Sequence, residues 1–189
     1  AKLPGLASYG RVRDYREQQL LVAPNVEIYR QSELSAGDIL EFGFQHVALA
    51  TGARWRRDGV GRQHAWAIPG VEEIDVFTPD DFHAGRLPEG RVLIYDDDHY
   101  YLGGVIAELL RGAEREVTLL TPAPDVSTWT HNTMEQHRIQ GRLLDLGVEI
   151  LPAQKLKRLA PGEATAACVY SGREGRLDFD SLLLLTARL

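Results

Sequence analysis

A chain of 189 residues, 44% hydrophobic and 25% charged, can bury a core as one domain or two small ones, and it is not disordered by composition. Its net charge of −6 argues against a nucleic-acid binder, which carries a basic patch. One cysteine, Cys168, excludes an internal disulfide, a cysteine-ligated zinc site and a cluster-binding cysteine set within this chain.

Cys168 lies in the apolar run Ala166 to Tyr170 and reads as a buried structural thiol. No apolar stretch approaches the roughly twenty residues of a membrane span, and no signal peptide is visible. The default expectation is a cytoplasmic protein with no membrane partner and no nucleic acid. Arg54, Trp55, Arg56 and Arg57 form the only dense basic cluster, and a solvated surface is the simplest reading of it.

From the start, Lys2 to Gly10 reads as loop, and a helix follows over about Val12–Val22 with Tyr15, Gln19 and Val22 on one side. Pro24 and Asn25 end it. Val26 to Tyr29 reads as a short strand, with a helical turn near Ala36 to Phe42. His46 to Ala50 is an apolar strand closed by Thr51, Gly52 and Ala53. A glycine after such a strand lets the backbone pass close to a ligand. From Arg54 to Gly90 the chain is rich in Gly, Pro, Trp and charge, a crossover with one short helix begun at Thr78. The turn Leu87–Gly90 places a subdomain boundary near residue 88, dividing the chain into 1–87 and 88–189.

The stretch RVLIYDDDHYYLGGVIAELLRGAEREVTLLT, Arg91 to Thr121, organises the rest. Val92 to Tyr95 reads as a buried strand. Leu102, Val105, Ile106, Leu109 and Leu110 recur at helical spacing up to Gly112, and Val117 to Leu120 forms a second strand. This is a βαβ unit of the nucleotide-binding type. Its loop is wrong for a nucleotide, because a pyrophosphate needs glycines that let backbone N–H groups and the helix N-terminus approach. Asp96, Asp97 and Asp98 stand there instead, and Gly103 and Gly104 arrive only later. Three carboxylates repel two phosphates. Thr121 and Pro122 also replace the acidic residue that would hold a ribose hydroxyl.

The simplest use of these aspartates is one helix cap with the others solvated. A Mg²⁺-binding receiver domain is a rival, since oxygen ligands suit Mg²⁺. It needs an aspartate at the tip of its third strand, where this chain has Pro152, Ala153 and Gln154. His131 and His137 do not share a helix face, and His99 reads as an exposed loop residue. Tyr100 and Tyr101 pack the loop. Trp55, Trp66 and Trp129 fall in connections. No catalytic residue and no metal ligand is assigned.

Downstream, Asn132 reads as an N-cap with Glu135 completing a capping box, and Ile139, Leu143 and Leu146 continue to a C-terminal cap at Gly147. Val148 to Leu151 is the next strand. Gln154–Leu159, Ala166–Tyr170 and the start of Leu177–Leu185 read as a three-stranded antiparallel insertion, ahead of a last buried parallel strand at Leu182–Leu185. The expected fold is α/β, a Rossmann-like, FAD/NAD(P)-binding-like three-layer arrangement with an antiparallel insertion. An opening glycine loop and a closing helix are both missing, so the chain reads as a fragment of a larger protein.

The segments HVALATGARWRRDGVG, VLIYDDDHYYLGG, VTLLTPAPDVSTW, NTMEQHRIQGRLLDLGVEI and FDSLLLLTAR together resemble the C-terminal half of the trimethylamine, dimethylamine and histamine dehydrogenase family of iron–sulfur flavoproteins. The resemblance covers nearly the whole chain, with several segments in order. It is closest to the amine dehydrogenases, where an aspartate-rich loop replaces the glycine loop. In the related dienoyl-CoA reductase-like enzymes the second domain keeps its glycines and binds a nicotinamide cofactor.

The resemblance implies a parent with FMN and a [4Fe–4S] cluster on an N-terminal (β/α)8 barrel, neither of them in this chain. It implies an ADP- or FAD-binding-like region over 1–87, whose nucleotide-proximal residues here are Thr51, Gly52 and Ala53. It implies a second, degenerate nucleotide domain over 88–189. Where the family has Thr-Gly-Arg this chain has Thr186-Ala187-Arg188, which further weakens a nucleotide site in the second domain. The implied parent passes electrons to a protein acceptor and is a homo-oligomer. The remaining readings are a piece of an NAD(P)H-dependent flavin oxidoreductase and a non-enzymatic interface module.

Overall fold

A computed structural model describes residues 3–189, which fall into two compact units, one ending at Gly52 and the other spanning Ala53–Leu189. In the first, α1 spans Gly10–Leu21 and α2 spans Ala36–Glu41. Ser35 caps α2: its hydroxyl accepts from the Asp38 N–H, while the Asp38 carboxylate accepts from the Ser35 N–H. None of this unit's described residues is buried. The expected apolar side of α1 therefore buries nothing, and Tyr15 is 60% exposed. The strands expected at Val26–Tyr29 and His46–Ala50 do not form. A strand is held by cross-strand pairing, and neither segment has a ladder partner among the described residues.

The second unit is built on a five-stranded parallel sheet: β1 (Val76–Phe77), β2 (Arg91–Asp96), β3 (Glu116–Leu120), β4 (Glu149–Leu151) and β8 (Ser181–Leu185). Between β4 and β8 the chain makes an antiparallel sheet of β5 (Gln154–Ala160), β6 (Glu163–Cys168) and β7 (Glu174–Asp178). The parallel strands lie in the order β1-β8-β2-β3-β4. Connections from β2 run one way across the sheet and β8 lies on the other side of β2, so the order reverses between β2 and β8. Helix α4 (Tyr101–Gly112) links β2 to β3, and α5 (Gln136–Asp145) precedes β4.

Both faces of the parallel sheet are covered, which is why its central strands are continuous apolar runs rather than alternating ones. Val92, Ile94, Leu183 and Leu185 face Ile106, Ala107 and Leu110 of α4 and Leu143 of α5. Leu93, Tyr95, Leu182 and Leu184 face Leu156, Leu159, Ala164 and Ala166 of the antiparallel sheet. This is the expected three-layer arrangement, helices on one side and antiparallel insertion on the other.

Several local details follow the sequence pattern. α3 (Pro79–His83) starts at Thr78 with a capping box: Thr78 and Asp81 cap each other's backbone N–H. Gly147, at φ +74, follows the end of α5. The box expected at Asn132 is absent. Asn132 lies inside a 3₁₀ helix over Thr128–Thr133, Met134 turns left-handed at φ 60, and α5 begins only after Glu135. The Glu135 carboxylate accepts instead from the Tyr101 hydroxyl.

Cys168 is half-buried rather than buried, and hydrogen bonding from the Ser171 hydroxyl and the Ser171 and Tyr170 backbone lowers its thiol to about 7. The basic cluster is not simply solvated. Arg56 pairs with Asp58, and Arg57 reaches the Asp81 carboxylate at 2.8 Å.

Candidate functional site

In open α/β sheets ligands bind beyond the carboxyl ends of the strands where strand order reverses. Here that place lies beyond β2 and β8, and the chain's own residues fill it. Asp96 ends β2 and is wholly enclosed. One of its oxygens accepts from the N–H groups of Asp98 (3.1 Å) and His99 (3.0 Å). The other abuts Gly103, where a Cβ could not fit. Gly103 thus serves to let α4 close over a carboxylate, whereas in a nucleotide site such a glycine would admit a phosphate. Burial raises the Asp96 carboxyl to about 6, and the charge of Asp98 adds to the rise. The His99 N–H bond and the His99 charge oppose it.

Asp97 is equally buried. Its N–H donates to the Leu185 carbonyl at 2.8 Å, and its Oδ2 accepts from the Gln63 N–H at 2.8 Å. Gln63 belongs to a tight turn in which the Gly61 N–H donates to the His64 carbonyl at 2.9 Å. Gly61 is wedged so closely that a Cβ would lie 2.5 Å from the Asp97 carboxylate and 2.9 Å from Thr186 Cβ. His64 reaches the Tyr95 ring, centroids 5.9 Å apart. Burial lowers the basicity of His64, and burial together with the charges of Asp97 and Asp96 raises the Tyr95 hydroxyl. The turn Gly61–His64 therefore sits on the aspartates.

The expectation that these aspartates cap the helix or stay solvated is overturned. Asp96 and Asp97 are buried, and α4 has no side-chain cap at its start. Asp96 bonds the turn ahead of the helix, where His99 takes φ 63. His99 is not an exposed loop residue either. Its Nδ1 lies 3.3 Å from the Thr121 hydroxyl and its Nε2 3.4 Å from Asp97 Oδ1, within ion-pair reach but beyond a good hydrogen bond. Tyr100 and Tyr101 pack edge to face at 4.7 Å, as expected of loop-packing residues. Sequence reasoning missed Gly61, Gln63, His64 and Tyr95. The one available signal was a glycine and a histidine in the crossover, with nothing to say which strand they would meet.

Outside this plug lies an open cleft of about 400 Å³, lined by Arg62, Asp98, Tyr100, Trp129 and Arg188. Arg62 lies over the Trp129 ring at 5.5 Å, and Arg188 over the Trp55 ring at 4.1 Å. Arg188 also stands 3.7 Å from Asp98. Thr51, Gly52 and Ala53 are exposed, with Gly52 at φ +80 and open space where its Cβ would be. Among the described residues no group of three or more His, Cys, Asp or Glu could hold a metal ion, and no helix is long and apolar enough to cross a membrane.

No family model matches the chain. Dimethylamine dehydrogenase of Hyphomicrobium sp. (strain x) is 33% identical over 170 residues, which is 86% of this chain and 23% of that protein. The solved structure of histamine dehydrogenase from Rhizobium sp. 4-9 matches with a TM-score of 0.94 and 46% identity, covering 99% of this chain and 29% of that one. That of 6-hydroxypseudooxynicotine amine oxidase from Pseudomonas geniculata N1 matches with a TM-score of 0.94 and 42% identity, covering 100% and 28%. The chain thus spans about a quarter of the length of these relatives. Over nearly its whole length it is similar to proteins of the trimethylamine, dimethylamine and histamine dehydrogenase family.

Proposed function

We propose that this chain is the nucleotide-domain portion of an amine-oxidising iron–sulfur flavoprotein dehydrogenase, that it performs no chemistry itself, and that its parent passes electrons to a protein acceptor. The observation that carries this reading is the filled switch point. Asp97 holds the Gln63 N–H at 2.8 Å where a nicotinamide dinucleotide would have to enter. An enzyme reoxidised by an electron-carrying protein tolerates that loss. The relatives named dimethylamine and histamine dehydrogenase support the amine substrate class.

The cofactors the family implies do not all fit this chain. A [4Fe–4S] cluster needs a set of cysteines, and Cys168 is the only one, so the cluster does not fit this chain; it and the FMN are proposed to sit on the barrel of the parent. For ADP or FAD, Thr51, Gly52 and Ala53 offer a turn whose glycine leaves room for close approach, and nothing more. A nicotinamide dinucleotide does not fit, because buried carboxylates and the Gly61–His64 turn occupy its place. The parent is proposed to be a cytoplasmic homo-oligomer.

Calorimetric titration of the chain with ADP, FAD, NADH and NADPH tests this. Binding of ADP or FAD alone, or of none of the four, agrees with the proposal. Saturable binding of NADH or NADPH contradicts it and moves the parent toward NAD(P)H-dependent flavin oxidoreductases.

A further inference from the structure

The cleft lined by Arg62, Asp98, Tyr100, Trp129 and Arg188 is not used by the plug, which is made of Gly61, Gln63, His64, Asp96 and Asp97. Its chemistry is specific. Arg62 is exposed and has no carboxylate partner among the described residues. Its guanidinium is held over the Trp129 ring at 5.5 Å, a contact that positions the cation without neutralising it. Arg188, anchored on Trp55, reaches Asp98 only at 3.7 Å. Two guanidinium groups and one carboxylate leave the cleft one positive charge in excess. Trp129 is 45% exposed and Tyr100 44%, so two aromatic side chains offer apolar surface beside that charge.

We propose that this cleft binds a small aromatic carboxylate, a monoanion with a flat face. The volume of about 400 Å³ falls in the range of small-molecule sites. A carboxylate accepts two parallel N–H bonds from a guanidinium, and Arg62 is free to make them. Asp98 in the lining disfavours a second negative charge and so selects against a phosphate dianion. Trp129 and Tyr100 select for a ring over an aliphatic chain.

Calorimetric titration of the chain with benzoate tests the proposal, with benzamide and inorganic phosphate as controls. Because Arg62 and Trp129 are exposed, Arg62→Gln and Trp129→Leu leave the core untouched, and their melting curves check this. The expected result is saturable one-to-one binding of benzoate, with benzamide, phosphate and both variants weaker by about tenfold or more. The proposal is overturned by any one of three results: no saturable benzoate binding, phosphate binding as tightly as benzoate, or wild-type benzoate affinity in Arg62→Gln.

Discussion

Asp96 is an acid that the fold holds out of water, and its titration has a definite sign. Its carboxyl rises from an ordinary 3.8 to about 6, so between those values the native state binds more protons than the unfolded chain. Stability at this site is therefore full below about pH 4, falls as pH rises, and is lowest above about pH 6. The rise corresponds to about 3 kcal/mol at most. Asn at this position keeps an oxygen for the Asp98 and His99 N–H groups. Urea unfolding from pH 4 to 7 is expected to show Asp96→Asn losing less stability than the wild type across that window.

Gly61 makes the complementary case. Its close approach to Asp97 and Thr186 leaves no room for a methyl, so Gly61→Ala is expected to cost about 1 to 3 kcal/mol in the same assay. Sequence reading located the three aspartates and took them to exclude a phosphate. It did not see that two are buried: Asp97 is covered by a turn more than thirty residues away, and Asp96 by the close approach of α4 at Gly103.

At the scale of elements, the legible features were those set by local pattern. The continuous apolar runs of β2 and β8, the helical spacing of α4 and the helix start at Thr78 each carry their own signal. The features that failed depend on partners. Val26–Tyr29 and His46–Ala50 have strand-like composition but no ladder partner among the described residues, and Asn132 lies within a 3₁₀ helix while the Glu135 carboxylate accepts from the Tyr101 hydroxyl. β8 is the element on which the sheet depends. It lies between β1 and β2, with Leu183 wholly buried against the helix layer. Leu183→Ala is expected to cost about 2 to 5 kcal/mol. Gly70, at φ +85, brings the crossover against β5, where a Cβ would fall onto the Leu159 carbonyl. Gly70→Ala combines backbone strain with that clash and is expected to cost about 2 to 4 kcal/mol. Thermal and urea unfolding of both variants check these values.

For the whole molecule, the layering of helices, parallel sheet and antiparallel sheet is that of a dinucleotide-binding domain, and its ligand position is sealed by the chain itself. Its layers are held together by a core of Leu, Ile and Val side chains. The Gly61–His64 turn is tied to Asp97 by the Gln63 N–H, which donates to Oδ2 at 2.8 Å. Amide hydrogen exchange at Gln63, measured without nucleotide and with excess NADH, tests that most directly. A protected amide whose exchange NADH leaves unchanged is expected. Rapid exchange at Gln63, or a change on adding NADH, would contradict it.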